Sequence, residues 1–563
     1  MTDKSRCQEI LAVSNKLFSD KSVINNLHQE VAENFYVERA TFTANRSIGD
    51  SFADNLTSSY PLLARRELSN IITTMLRPRD KSWFKIVSSR DNISLEARSW
   101  LEWATSVQRR AMYDKDSGFV RATKEADNDY AAFGQAVISC EMNWEDMTLL
   151  YRCHHLRDVA WAEGLNGQVD RIDRKWKAKV SDLVRKFGID KVSQKVKESY
   201  EKGGSELSRE VECRHIVMTT KEYEASKGGY KGAKKIRQPW VSIYVDMEDH
   251  HILEEVGSWT RIYTIPRWQT VSDSQYSYSP AVVAALPDAR LYQAISLTLL
   301  EAGEKYTHPP MVAVGEAIRG DINMYAGGIT YVSDEYDERL GDVLRPISQD
   351  KGGFGVGLDL REEIKRSIHE SFFLNKINMP DRGSAEMTAY EAGQRVQEYV
   401  RDALPIFEPA EQDYNGDLCD ITFETLLRAN TFGPTDTIPE ELQGDDVRFN
   451  FESPLHAAEE RVKAQKFIGA LGLIGQAMGL DPTAASVIDI KTGLRDSIMG
   501  AETPTAWLRS EEEVMMIEQQ EEEAAQAQMI MDQLGQGADI AKTAGEAGQE
   551  LGLIGEIEGA TGE

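Results

Sequence analysis

A mainly helical α+β fold is what this sequence predicts, and three observations carry the reading. Residues 1–130 place apolar side chains at helical spacing, and residues 135–268 hold short alternating segments in hairpin order. Helices and antiparallel strands stay segregated, without the regular βαβ alternation of a doubly wound sheet. The chain has 563 residues, 41% of them apolar and 10 of them Trp, enough for a sizeable core and for several domains.

The elements follow in order. In PLLARRELSNIITTMLRPRDKSWFKIV, Leu62, Leu68, Ile71, Ile72 and Met75 recur at helical spacing, Pro78 stops the helix, and Trp83, Phe84 and Ile86 open an extended segment. SLEARSWLEWATSVQRRAMY (94–113) and VRATKEADNDYAAF (120–133) are further helices. QAVISCEMNW and TLLYRCHHL alternate about Glu145 and Asp146 as a hairpin does. VDRIDRKWKAKVSDLVRKF reads as a helix, followed by strands in ECRHIVMTT, PWVSIYVDM and WTRIYTIPRW. A helix is expected from Pro287 to Tyr306, with Leu291, Ile295, Thr298, Leu299 and Ala302 on one side and Pro309–Pro310 as its stop. Short strands (MVAVGE, ITYVS, LRPIS) lead to the glycine cluster KGGFGVG, read as a turn. A second helix then starts at Asp359, whose spacing to Glu362 is that of a capping box, with Leu360, Ile364, Ile368 and Phe372 as its apolar stripe. Thr388 and Glu391 repeat the capping pattern and open a further helix. Residues 455–500 read as three short helices, and 511–534 as a helix-prone acidic segment before a Gly/Ala/Glu-rich tail.

Charge narrows the function. The net charge of −28 argues against a broad nucleic-acid-gripping surface, which needs Lys and Arg for phosphate contacts. From Ala501 onward 15 acidic residues face only Arg509 and Lys542, so nearly half the excess sits at the C-terminal end. Five cysteines without CxxC spacing fit free thiols rather than disulfides or a zinc site. No run of about 18 apolar residues suggests a membrane span, and MTDKSRCQEILAVSNKLF lacks the features of a signal peptide.

Enzyme chemistry finds little footing. There is no GxxxxGK[ST], HExxH or GxSxG. GGFGVGLD (352–359) superficially resembles a phosphate cradle but lacks a preceding βαβ strand. Asp246, Glu248, Asp249, His250 and His251, and the pair His154–His155, are the densest ligand candidates, yet neighbours on a strand point to opposite faces and do not chelate. No catalytic residue, metal or cofactor is expected. The alternative readings are a metal-dependent DNA-processing enzyme (a nuclease) and a non-viral scaffold protein.

The order of parts resembles the portal proteins, or head-to-tail connectors, of short-tailed (podovirus-type) double-stranded DNA bacteriophages. The pieces are PLLARRELSNIITTMLRPRDKSWFKI (61–86), AEGLNGQVDRIDRKWK (162–177), YTIPRWQTVSDSQYSYSPAVVAALPDAR (263–290), THPPMVAV (307–314) and MTAYEAGQRVQEYV (387–400). The resemblance implies a homo-oligomeric ring of about twelve subunits with a central DNA channel, at one capsid vertex of the virion, assembled in the host cytoplasm. It implies a wing (1–286, with 389–454 as a long helix and return), stem helices (287–306 and 358–375), a clip (307–357), a channel loop (376–388), a crown (455–510) and an acidic helix and tail (511–563). Its implied partners are double-stranded DNA passing without sequence preference, the packaging ATPase (terminase), tail adaptors, and major capsid and scaffolding proteins. Internal core or ejection proteins at the crown complete the set, and no membrane is involved. On that basis Lys376 and Arg382, then Lys365, Arg366 and His369, are the candidate DNA-channel contacts. Lys365 and Arg366 could instead form salt bridges between subunits, given Glu362, Glu363 and Glu370 nearby. Asp334, Glu335, Asp337, Glu338 and Arg339 are the candidate docking surface of the clip.

Overall fold

The computed structural model describes residues 3–451 except 48, 52–55, 80–81, 91–92, 227–235, 273, 316, 324–328, 334–336, 338, 340–341, 347–351, 378–406, 435–436 and 445–446, together with residues 467–474, 494, 516–517 and 519–520. The chain divides into two compact units, Met1–Asp91 with Trp100–Val462, and Asn92–Ser99 with Lys463–Glu563. In the second unit, residues 467–474 are helical. The helix expected from Thr388, most of the loop 376–388, and most of segments 455–510 and 511–563 lie outside the described residues.

The first unit opens with α1 (Asp3–Phe35) and α2 (Tyr60–Leu76), which buries Leu68, Ile72 and Leu76 on one face. Pro61 sits in its first turn, where no backbone donor is lost, and the helix ends before Pro78 as the sequence predicts. Trp83 and Phe84 then enter the core at β1 (Phe84–Ser88). After α3 (Leu95–Met112), α4 (Phe119–Phe133) lies against α2 and is mostly buried. Gly134 ends α4 at φ +72, and a Cβ there would sit 2.1 Å from the Tyr278 carbonyl carbon, so only glycine fits.

Three arginines converge on α4. Arg39 forms a two-pronged pair with Asp129 at 3.1 and 3.0 Å. Arg65 bonds Asn128 and the Phe35 carbonyl, and Arg77 bonds Asp127 and, at 2.7 Å, the Asn415 side chain. Arg65, Arg77, Asp127 and Asp129 are buried, and the Arg77–Asp127 pair persists only because both partners are in place.

The strand-rich part begins with the hairpin of β2 (Ile138–Asn143) and β3 (Thr148–Cys153), which turns about Glu145 and Asp146 as expected. A five-stranded antiparallel sheet follows, in the order β4 (Val159–Glu163), β5 (Val169–Lys179), β6 (Glu210–Thr219), β7 (Trp240–Asp246) and β8 (His251–Ser258). α5 (Val180–Phe187) and α6 (Gln194–Lys202) cover one face through Leu183, Phe187 and Val196. α1 and α7 (Thr220–Ser226) cover the other through Ile10, Leu11 and Tyr223.

The helix expected over VDRIDRKWKAKVSDLVRKF is therefore half wrong: only α5 is helical, and residues 169–179 form a long strand. Lys175, Lys177 and Lys179 alternate to the exposed side, while Arg171 and Asp173 are buried as a mutual pair at 2.9 Å. A buried ion pair looks polar in sequence, and that hides the two-residue period. β4 and β8 go unpredicted, and WTRIYTIPRW holds only the two-residue β9 (Tyr263–Thr264), which pairs with β2.

A short ladder, β10 (Gln269–Thr270) with β11 (Ser277–Tyr278), leads to α8 (Pro280–Thr307). α8 starts seven residues before the expected Pro287, because Ser279 caps it, its Oγ accepting from the Val282 amide at 3.4 Å. Pro287 lies inside the helix. β12 (Met311–Ala313) pairs with β13 (Leu344–Pro346), and α9 runs Gly352–Ser371. The glycine cluster is thus the start of α9 rather than a turn, and Asp359 is an interior residue rather than a cap. α10 (Leu374–Ile377), a π-helical turn at Glu411–Gly416, α11 (Asp417–Arg428) and β14 (Val447–Phe451) complete the described chain, β14 pairing with β1. No helix among the described residues is long and apolar enough to cross a membrane.

Lys21 pins α1 to this body. It is fully buried, donates to the Leu156 and Val159 carbonyls, and lies 5.0 Å from the centre of the Trp161 ring. Burial pushes its ammonium down to about 7. Between about 7 and the ordinary lysine range the unfolded chain holds a proton that the folded chain lacks, so this group adds stability as pH rises through that window. In urea titrations, wild type should gain on the order of 2 kcal/mol relative to Lys21→Met between pH 7 and 9. Parallel pH profiles for the two proteins would contradict this.

Candidate functional site: an exposed helical arm

α8 and α9 pack side by side and change character along their length. α8 buries Ala281, Val282, Ala285, Ala289 and Tyr292, and nothing beyond Tyr292. α9 buries Ile364 and Ile368, with Phe372 buried just past its end, and nothing before Ile364. The expected apolar stripe of α9 is therefore buried at three of its four positions, Leu360 being 42% exposed. Beyond Tyr292 and Ile364 the two helices and β12–β13 form an arm whose apolar side chains face outward. Leu297 (46% exposed), Leu300 (57%), Val356 (67%) and Val312 of β12 (42%) are examples.

Contacts along the arm and at its root fix the helix pair. A Cβ on Gly357 would lie 2.8 Å from Cδ2 of Leu299, the movable end of that side chain, so the two helices run close at this point. Nearer the root, Ser367 Oγ donates to Asp288 Oδ2 at 2.6 Å, and the Phe372 and Phe35 rings stand 5.5 Å apart. The root itself hangs from α4, because Ser279 Oγ donates to the Ala131 carbonyl at 2.8 Å.

The candidate contacts of α9 separate on this geometry. Lys365 Nζ lies 3.3 Å from Glu362 Oε2 and 5.5 Å from the centre of the Tyr60 ring, so it is engaged within its own chain. His369 is half-buried, with Nδ1 3.5 Å from the Tyr60 hydroxyl. Arg366 is exposed, and among the described residues no carboxylate pairs with it. Lys376 falls in α10, its side chain outside the described residues, and Arg382 lies outside them altogether. Asp337 and Arg339 are exposed and form a local turn, Asp337 Oδ1 accepting from the Arg339 amide at 3.0 Å. Asp334, Glu335 and Glu338 lie outside the described residues.

The histidine and carboxylate clusters have structural partners. Asp246 accepts from Ser193 Oγ at 2.6 Å, Asp249 pairs with Lys195 at 2.8 Å, and Glu248 pairs with Arg209. His154 binds Ser139 and Arg174 at 2.9 and 3.1 Å, and His155 binds Thr41 at 3.1 Å. Burial, with Arg39 nearby, pushes His155 down to about 3. Among the described residues no group of three or more His, Cys, Asp or Glu side chains is placed to hold a metal ion. Sequence reasoning passed over Gly357, Tyr60, Gln293 and Ser367. Gly357 carried a signal, a small residue between apolar ones at helical spacing. The other three are ordinary polar positions whose role is set by contacts across the fold.

Comparison with known proteins gives a consistent result. A family model described as bacteriophage head to tail connecting protein matches residues 7–508. The probable portal protein of Bordetella phage BPP-1 is 25% identical over 462 residues, covering 80% of this chain and 79% of that protein. The portal protein of Salmonella phage epsilon15 is 23% identical over 493 residues, covering 86% and 85% respectively. Among solved structures, a chain of the virion of a native gene transfer agent particle matches with a TM-score of 0.34 and 11% identity, over 74% of this chain and 87% of that one.

Gly357→Leu should displace the Leu299 side chain and lower the thermal midpoint, at a cost of about 1 kcal/mol. Adding Leu299→Ala should return most of that loss, since the clash is with this side chain. An unchanged midpoint in the single variant would show that the close approach is not required.

Proposed function

The chain belongs to the bacteriophage head-to-tail connecting protein family, and from that premise we propose that it closes into a ring of about twelve copies around a DNA channel. The ring stands at one capsid vertex, passes double-stranded DNA during packaging and ejection, and docks first the packaging ATPase and later the tail adaptors. Major capsid and scaffolding proteins surround it, and assembly takes place in the host cytoplasm. Internal core or ejection proteins sit at the crown. The protein has no catalytic step of its own.

The observation that carries this reading is the arm. Leu297, Leu300, Val356 and Leu360 are exposed in a single chain. A run of outward apolar side chains on two packed helices marks a surface that another chain covers. Head-to-tail copies of the same arm cover one another in a closed ring without leaving a free end. In this assignment residues 287–306 and 358–375 are the stem, 307–357 the clip, 376–388 the channel loop, and the body on which the arm is rooted the wing.

The acidic balance suits a channel. A net charge of −28 in each copy repels phosphate and keeps DNA from adhering to the wall as it moves. A few cations then touch the backbone without reading sequence. With Lys365 and His369 engaged by Glu362 and Tyr60, the contacts assigned here are Arg366, Lys376 and Arg382.

Negative-stain images of the purified protein should show rings with a central hole, and monomers at every concentration would overturn the proposal. Leu300→Asp with Val356→Asp should leave helix content intact and convert rings to monomers, each buried side chain contributing about 2 kcal/mol per contact. Arg366→Ala with Lys376→Ala and Arg382→Ala should keep rings but reduce packaged or retained DNA. Loss of rings in that triple variant would instead give these residues a role in assembly.

A further inference from the structure

The arm is gripped at its root by a polar strap, the residues Thr57–Tyr60 that lead into α2. Gln293 of α8 reads the strap backbone on both sides. Its Oε1 accepts from the Thr57 and Ser58 amides, each at 2.9 Å, and its Nε2 donates to the Ser58 carbonyl at 2.8 Å. Thr57 Oγ1 adds a bond to the backbone carbonyl of Gln293 at 2.9 Å, an acceptor that the α8 ladder also uses. Three residues on, Tyr60 stands 5.8 Å from the Tyr292 ring, its hydroxyl 3.5 Å from His369 Nδ1 and its ring 5.5 Å from Lys365 Nζ. One short segment therefore touches α8 just beyond Tyr292 and α9 at its buried root.

The place of this grip is telling. Gln293 follows Tyr292, the last buried residue of α8, and Lys365 follows Ile364, the first buried residue of α9. The strap thus crosses the line at which the body's hydrophobic hold on the arm stops. It is also built from bonds that water can replace, since Thr57 is exposed and the contacts are polar. Just inside the line, Pro287 removes one rung from the α8 ladder, the bond to the Val283 carbonyl.

We infer that Thr57–Tyr60 is a latch that sets the tilt of the arm, with Gln293 as its positioning residue. With the latch closed, the arm is fixed to α2. With its bonds exchanged for water, the arm pivots about Tyr292 and Ile364 while the buried root stays in place. Arm orientation and strap conformation are then two readouts of one equilibrium. The inference concerns each subunit and does not rest on the ring reading. Assembly state is measured separately by sedimentation, so a failure of one is not mistaken for a failure of the other.

Hydrogen exchange on the full chain tests it. Gln293→Ala should speed exchange on the order of tenfold both in 56–60 and in 294–300, and leave α4 unchanged as the folding control. Gln293→Glu keeps the two accepted bonds and loses the donated one, so it should fall between wild type and alanine. Oxidised Thr57→Cys with Gln293→Cys should slow exchange in 294–300 below that of its reduced form. Faster exchange confined to the strap in Gln293→Ala, or equal exchange in the oxidised and reduced cysteine pair, would overturn the inference.

Discussion

The polar contacts on α4 tie together the helices from which the arm departs. Asp127, Asn128 and Asp129 receive Arg77, Arg65 and Arg39, which come from the end of α2, its middle and the turn after α1. Burial by itself would lower the Arg77 and Arg39 pKa values, but the facing carboxylates outweigh it and hold both guanidinium groups above their ordinary range. Burial pushes the Asp129 carboxyl up, and Arg39 opposes that shift. Removing one partner from such a set costs roughly 3–5 kcal/mol, because a charge is left buried alone. That asymmetry is what makes the hub a constraint on the fold and not merely a source of stability.

The arm inherits its direction from the same helix. The C-terminal end of α4 supplies Gly134 and the Ala131 carbonyl, against which residues 277–279 lie and from which α8 departs. Arg77 extends the network to Asn415, so the segment leading into α11 is fixed by the same charges. A body with a buried polar hub thus carries a weakly buried projection. The contrast suits a connector, whose body keeps its shape while its exposed elements meet other molecules.

Much of the fold was legible in the sequence wherever one face of an element is apolar. α2, α3, α4 and the β2–β3 hairpin fall where their periodicity puts them, and the stripe Ile364, Ile368, Phe372 is the buried face of α9. Reading failed where polar residues go inside or glycine does unusual work. β5 was taken for a helix because Arg171 and Asp173 satisfy each other in the interior. α9 was started late because Gly352–Gly357 suggests a turn, although these glycines lie inside the helix. The start expected at Pro287 falls inside α8, because the cap is Ser279 and a proline within a helix costs one rung without ending it. Among the candidate contacts of α9, sequence could not separate Arg366 from Lys365 and His369, since Tyr60, which engages the latter two, is some 300 residues away.

By itself the sequence determined the class of the fold, the family resemblance and the acidic character, since these rest on local period, order of parts and charge, all additive along the chain. The tertiary structure alone decided which polar groups are buried together, where the body's hold on α8 and α9 ends, and which cations on α9 are already engaged. Those depend on residues far apart in sequence meeting at a few ångströms, where burial turns an ordinary arginine, lysine or glutamine into a fixed point of the architecture.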